Sequence, residues 1–166
     1  MKNKLEKLLK EYVEQATETD VKALLHVLKG MKNKLEGHSS TYIGGILHYE
    51  KNPEETVWEV NIPINPVLFN SLGIVHGGIT ATLVDSAMGT LANNLVPEGY
   101  GAVTSQLNVH YLAPGIGDGL RCRAEVAHQG KNTMVISAEV FRTDGKKAAQ
   151  ATGSFFIVEK KVSSGE

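Results

Sequence analysis

Apolar residues in the first 35 positions recur with the period of an amphipathic helix. Over residues 2–16, Leu5, Leu8, Leu9, Tyr12, Val13 and Ala16 fall at the i, i+3, i+4, i+7 spacing, with lysines and glutamates on the other face. Thr17 with Asp20 three residues on reads as a capping box. Behind it, Val21, Leu24, Leu25, Leu28, Met31 and Leu35 carry a second stripe toward Gly37. Residues 1–37 therefore read as a helical arm.

From position 41 the period changes. Residues 41–50 and 56–64 are rich in β-branched and aromatic side chains, with Asn52-Pro53 between them, and predict a hairpin. Residues 65–76 form an irregular connection, and 77–95 read as one helix ending before Pro97. Four strands follow, over 102–112, 120–129, 133–143 and 146–158, broken at Pro114-Gly115-Ile116-Gly117, Gly130-Lys131 and the hairpin dipeptide Asp144-Gly145. Consecutive strands joined this briefly are expected to pair antiparallel. The order predicts an α+β domain over 38–160, in which a curled antiparallel sheet packs around the apolar helix, with a short tail at 161–166.

Composition narrows the function. The 166 residues are 42% hydrophobic and 21% charged, with 17 Gly and 5 Pro, as in an ordinary one-domain globular chain. A formal net charge of −1 gives no footprint for nucleic acid or an anionic membrane, and the arm is only slightly basic, which favours packing on the core or a partner subunit over DNA binding. The single cysteine, Cys122, excludes an intramolecular disulfide or CxxC site. No signal peptide or membrane span is evident, so a soluble cytoplasmic protein is expected.

The most informative stretch lies between Glu59 and Glu98. It holds no Lys or Arg and one carboxylate, Asp85, in the middle of a helix that is apolar or small nearly all round. Such a carboxylate is expected to be buried with its pKa raised by desolvation, and a buried acid without a cation points to chemistry. Ala81, Ala92 and Met88-Gly89 leave room beside it; the competing role is to accept hydrogen bonds from Thr82 or Ser86. The helix starts at Gly77-Gly78 directly after His76, where free N–H groups and the helix dipole could hold an oxyanion. Asp85 lies eight residues beyond Gly77. At about 1.5 Å per residue this is roughly 12 Å, too far for both to serve one carbonyl within one helix, so if both act on one substrate two chains are expected to supply them.

Other signals are set aside. His76, beside a helix start, is expected to support the site by hydrogen bonding and not to act as base. His48, His110 and His128 lack metal-ligand spacing. Cys122 reads as a small buried hydrophobe, the glycine-rich segment 115–119 as a turn, and no G-x-S-x-G elbow exists.

The run Asn70-Ser71-Leu72-Gly73-Ile74-Val75-His76-Gly77-Gly78 followed by Asp85 resembles the hotdog-fold acyl-CoA thioesterases of the PaaI-like, phenylacetate-pathway type, over about residues 40–158. The resemblance implies a hotdog fold, a homodimer joined sheet edge to sheet edge and often doubled to a homotetramer, and acyl-CoA hydrolysis at the interface without metal or organic cofactor. By position, it implies that Gly77 donates its N–H to the thioester oxygen, that Asn70 and His76 shape that site, that Asp85 of the facing subunit is general base or nucleophile, and that Thr104 holds the water. It further implies that Gly78, Tyr111, Pro114, Gly130, Lys131 and Asn132 contact substrate, with Lys131 on a CoA phosphate. Two other readings stay open: a non-catalytic acyl-CoA sensor whose arm binds DNA, and a hotdog enoyl-CoA hydratase.

Overall fold

The computed structural model describes residues 1–53 and 57–160. They divide into two compact units, Met1–Tyr49 with Asn65–Val67, and Glu50–Ile64 with residue 68 onward.

The first unit is helical: α1 (Lys2–Gln15), α2 (Glu18–Leu35) and α3 (Tyr42–Ile46). The expected capping box starts α2, with Asp20 N–H donating to Thr17 Oγ1 at 3.3 Å and Thr17 N–H to Asp20 Oδ2 at 2.9 Å. Of residues 41–50, whose β-branched content had indicated a strand, only Glu50 belongs to one. Thr41 Oγ1 accepts from Gly44 N–H at 3.0 Å and caps α3, whose glycines then meet α2 backbone to backbone. A Cβ on Gly45 would lie 2.3 Å from the Gly30 carbonyl oxygen, so this approach exists only because both residues are glycine. Tertiary contact has overridden local propensity. Beside it the His26 and His48 rings lie with centroids 4.0 Å apart and planes inclined at 44°, and His48 Nε2–H donates to the His26 carbonyl at 3.0 Å. His26 Nε2 lies 3.0 Å from the Ile46 carbonyl oxygen and 3.1 Å from Asn65 Nδ2.

The second unit is one six-stranded antiparallel sheet around one helix. Its strands are β1 (Glu50–Pro53), β2 (Val57–Pro63), β3 (Tyr100–Tyr111), β4 (Gly119–Gln129), β5 (Thr133–Arg142) and β6 (Lys147–Glu159), in the order β1-β2-β4-β5-β6-β3. Helix α4 (Gly77–Leu95) packs against β2 through β6. Alternation puts Met134, Ile136, Ala138 and Val140 of β5 on the face toward α4, all at most 1% exposed, beneath Leu83, Val84, Ala87 and Met88. Small residues let the helix sit low: a Cβ on Gly153 would come within 2.9 Å of the Met88 methyl.

Two expectations change here. The hairpin is β1 with β2, Asn52 and Pro53 belong to β1, and the connection at 54–56 lies outside the described residues. And β3 does not pair with β4; it pairs with β6, at the opposite edge of that four-strand group. Three strand spacings of about 4.8 Å separate β3 from β4, roughly 14 Å, and the seven residues 112–118 reach about 23 Å when extended, so the connection is long enough to cross. It is tied down on the way, with Leu112 N–H donating to the Ala148 carbonyl and Val75 N–H to the Gly115 carbonyl, both at 2.9 Å. Among the described residues no helix is long and apolar enough to cross a membrane.

Two predictions follow from the helical unit. Gly45→Ala should cost about 1–3 kcal/mol or more by overpacking against Gly30, read as a loss of α2–α3 protection in hydrogen exchange. Burial first, then the neighbouring His48 and Lys29, lower the His26 pKa from 6.5, against a raising contribution from the Ile46 carbonyl. The unfolded unit therefore takes up that proton first, and the contribution of neutral His26 is lost as pH falls through about 6.5. Protection factors in α2 and α3, corrected for the intrinsic exchange rate at each pH, should fall between about pH 7.5 and about pH 5.5, and His26→Gln should flatten that dependence.

Candidate active site

The apolar face of α4 points into the sheet, which leaves a lane of small and polar residues on its outer side. Asp85 stands in the middle of that lane, half-buried and not enclosed as its uncharged sequence surroundings had implied. Burial by the chain's own core is incomplete because the facing side chains are small. Thr104 Oγ1–H donates to Asp85 Oδ1 at 2.8 Å.

Thr104 comes from β3, and so does Tyr111, whose hydroxyl donates to the Gly77 carbonyl at 2.9 Å. Seven residues apart, they would point to opposite faces of a regular strand. The register shifts between Thr104 and Gln106, a β-bulge that leaves Ser105 unpaired in the ladder with its hydroxyl donating to the Ser154 carbonyl at 3.0 Å. That extra residue restores parity. Thr104 sits opposite Phe155 and Tyr111 opposite Ala149, both on the buried face of β6.

At the N-terminus of α4, His76 is the cap: its Nδ1 accepts from Gly78 N–H at 2.9 Å, and its own N–H donates to the Leu68 carbonyl at 2.8 Å. The Gly77–Gly78 peptide is thus held at both ends, its N–H by His76 and its carbonyl by Tyr111. Among the described residues the Gly77 N–H has no acceptor. The peptide that carries it has its carbonyl, that of His76, accepting from Ile79 N–H at 2.9 Å and Thr80 N–H at 3.2 Å, which polarises the Gly77 N–H as a donor. Asn70 Oδ1 accepts from Leu72 N–H at 2.8 Å and folds the loop ahead of the cap, helped by Gly73 at φ +70°.

The nominated residues therefore fall into separate groups within one chain. Asn70, Gly77, Tyr111 and Pro114 line one cleft of about 380 Å³, with His76 and Gly78 at its helix end. Asp85 and Thr104 lie two turns along α4. Gly130, Lys131 and Asn132 form the β4–β5 turn, beside the start of β3: the Asn132 carbonyl accepts from Ile157 N–H at 2.9 Å, and Phe156 faces both Thr133 and Val103. A larger cavity of about 490 Å³, lined by Asn61, Asp118, Arg121 and Arg142, contains none of the nominated residues. Cys122 is fully buried and burial pushes its thiol up to about 12, so it is no nucleophile. The bond from Tyr111 to Gly77 was missed in the sequence; only the odd spacing from Thr104 hinted at it, and that needs the bulge to be known.

A six-stranded antiparallel sheet wrapped on one long helix, with an N–H-bearing helix start and an outward carboxylate, defines the hotdog thioesterase fold. Residues 72–149 match the thioesterase superfamily. Mouse (Mus musculus) acyl-coenzyme A thioesterase 13 is 35% identical over 100 residues, 59% of this chain and 69% of that protein. A protein of Bacillus halodurans whose crystal structure was solved with CoA is 40% identical and superposes with a TM-score of 0.83 over 89% of this chain and 98% of its own. The Escherichia coli PaaI protein, from the phenylacetic acid degradation operon, is 26% identical with a TM-score of 0.68 over 81% of this chain and 97% of its own. The chain belongs to the thioesterase superfamily, as a PaaI-like hotdog protein.

Tyr111→Phe removes only the hydroxyl that holds the Gly77–Gly78 peptide. It should lower kcat for thioester hydrolysis about 3- to 10-fold, the worth of one hydrogen bond, with KM and Tm nearly unchanged in a thiol-release assay and a melting curve.

Proposed function

We propose that this protein hydrolyses an acyl-CoA thioester to the free acid and CoA, at sites each shared by two copies of the chain. The observation that carries the reading is the separation of an unbonded Gly77 N–H from an outward, Thr104-bonded Asp85 by about 12 Å of one helix. Neither end alone can both polarise a carbonyl and activate a nucleophile.

A second copy supplies the missing half by ordinary strand pairing. Among the described residues the outer edge of β3 has no partner strand, and twelve residues of open edge call for cover. Antiparallel pairing of β3 with itself about an axis through Asn108, with Ser105 bulged out of the ladder, sets Thr104 opposite Tyr111 of the second copy. Asp85 of one chain then approaches Gly77 of the other, and two-fold symmetry yields two equivalent sites. The homodimer is the working unit, and a further doubling to a homotetramer is compatible with it.

In the reaction, the Gly77 N–H donates to the thioester oxygen and stabilises the charge that develops there. Asp85 of the other chain takes a proton from the attacking water; the carbon–sulfur bond breaks and CoA leaves as thiolate. With Asp85 as nucleophile instead, a mixed anhydride forms first and water cleaves it. Thr104 donates to Oδ1, which leaves Oδ2 free for either role, and its own lone pairs can accept from that water. Asn70 and His76 hold the helix start, while Gly78, Tyr111 and Pro114 border the thioester and Lys131, Gly130 and Asn132 of the turn meet the phosphate-bearing part of CoA. The CoA bound by the Bacillus halodurans relative supports this choice of leaving group. A cytoplasmic location accords with the one buried, unpaired cysteine.

Asp85→Asn should lower kcat at least about 100-fold, and Gly77→Pro about 100- to 1,000-fold. Proline suits this first helical position and the extended His76 before it (φ −60°, ψ 135°), so it deletes the donor while keeping the helix start, and the Tyr111 ring must give way to its ring carbons. Equal mixing of the two inactive variants by co-refolding should restore roughly a quarter of wild-type activity, since half of randomly paired dimers regain one intact site of two. Thiol release on an acyl-CoA panel measures all three. Mixed chains that stay dead, or an Asp85→Asn enzyme at full rate, would falsify the shared site.

A further inference from the structure

Helix α1 exposes much of its apolar stripe, with Leu9 and Ala16 partly covered and the Tyr12 hydroxyl donating to the Asp20 carbonyl at 3.3 Å. None of its 14 residues is buried, and Leu5, Leu8, Tyr12 and Val13 are 55%, 62%, 42% and 52% exposed. A helix this short is marginal alone in water, and an amphipathic one gains its stability by burying that stripe. We propose that α1 pairs antiparallel with α1 of a second copy of this chain.

The charges beside the stripe choose that occupant and that direction. With Leu5 and Tyr12 at the a positions of a heptad and Leu8 at d, the g positions are Lys4 and Glu11, and the e positions are Leu9 and Ala16. In an antiparallel pair g faces g, so Lys4 of each copy meets Glu11 of the other, twice by symmetry. In that register a positions meet d positions, so Leu5 of each copy packs on Leu8 of the other, about an axis between residues 6 and 7. A parallel pair sets Lys4 and Glu11 against Leu9 and Ala16 and leaves both charges unmatched. Glu11 also lies 3.6 Å from Lys7 in its own helix, so the pairing places it between two cations. Exposed pairs of this kind contribute orientation more than affinity, which comes from the leucines. The outer face mixes Glu6, Lys7, Lys10 and Glu14, unlike the lysine-rich face of a helix that lies on lipid. The pairing does not depend on how β3 is covered or on the catalytic reading.

Disulfide trapping in the full-length chain tests it, with Cys122 buried and silent as background. Under copper–phenanthroline, Leu5→Cys chains mixed with Leu8→Cys chains should cross-link to each other at least tenfold faster than either variant does to its own copy. Adding Lys4→Glu to both should slow that trapping at least threefold, and adding Lys4→Glu with Glu11→Lys should restore it. Self-trapping at positions 5 and 8 faster than trapping between them would mean a parallel pair; no trapping between positions 5 and 8, or trapping indifferent to the charge swap, would mean that another surface or a lipid vesicle covers the stripe. Each of these overturns the proposal. Catalytic rate with an acyl-CoA is followed in the same samples, so loss of activity and loss of pairing are read separately.

Discussion

One extra residue in β3 sets the geometry of the site. A strand offers alternate side chains to one face, and Thr104 and Tyr111 are an odd number of residues apart. The bulge at Ser105 turns both toward α4. Without it, either Asp85 would lose the hydroxyl bonded to its Oδ1 or the Gly77 carbonyl would lose the phenol bonded to it. A bulge costs ladder hydrogen bonds, and here the Ser105 hydroxyl recovers one by donating to the Ser154 carbonyl. Helix start, helix middle and edge strand are locked into a single relation by that irregularity.

The second constraint is depth. Gly153 on β6 admits the Met88 methyl, and Ala138, Ala149 and Ala151 keep the floor low, so α4 sinks onto the sheet while its outer lane stays open. Larger floor residues would lift the helix and carry Asp85 away from Thr104. The core residues therefore tune the site without touching substrate, because a close-packed interior transmits volume changes to what lies on top of it.

Much of this was legible in the sequence. The bounds of α4, Gly77–Leu95, follow from the glycine pair at its start and Pro97 after its end, and β4 to β6 follow from alternation and short turns. The capping box at Thr17 was read from two residues. What failed was what depends on distant partners. Residues 41–50 look like a strand until Gly30 is brought against Gly45, and β3 was placed beside β4 because nothing local reveals a crossing connection. Asp85 was expected to be enclosed, since a chain of apolar neighbours says how a helix is surrounded but not on which side the surroundings end. The separation between Asp85 and Gly77, by contrast, needed only helix rise.

The glycine pair itself shows how closely the two ends are fitted. A Cβ on Gly78 would stand 3.2 Å from His76 Nδ1, against the atom that accepts the Gly78 N–H, and a Cβ on Gly77 would stand 3.3 Å from the Tyr111 ring. Either side chain would push on a group that holds the Gly77–Gly78 peptide. The glycines are thus required less for backbone freedom than for the approach of the side chains that remove it. A backbone N–H fixed in this way is already oriented before a carbonyl arrives, and preorganised donors of that kind avoid the reorganisation cost that water or a mobile side chain would bring to the transition state. In the proposed mechanism, rigidity at Gly77 and exposure at Asp85 are complementary requirements: the donor must not move, while the acid must stay open on the side from which a second chain would close.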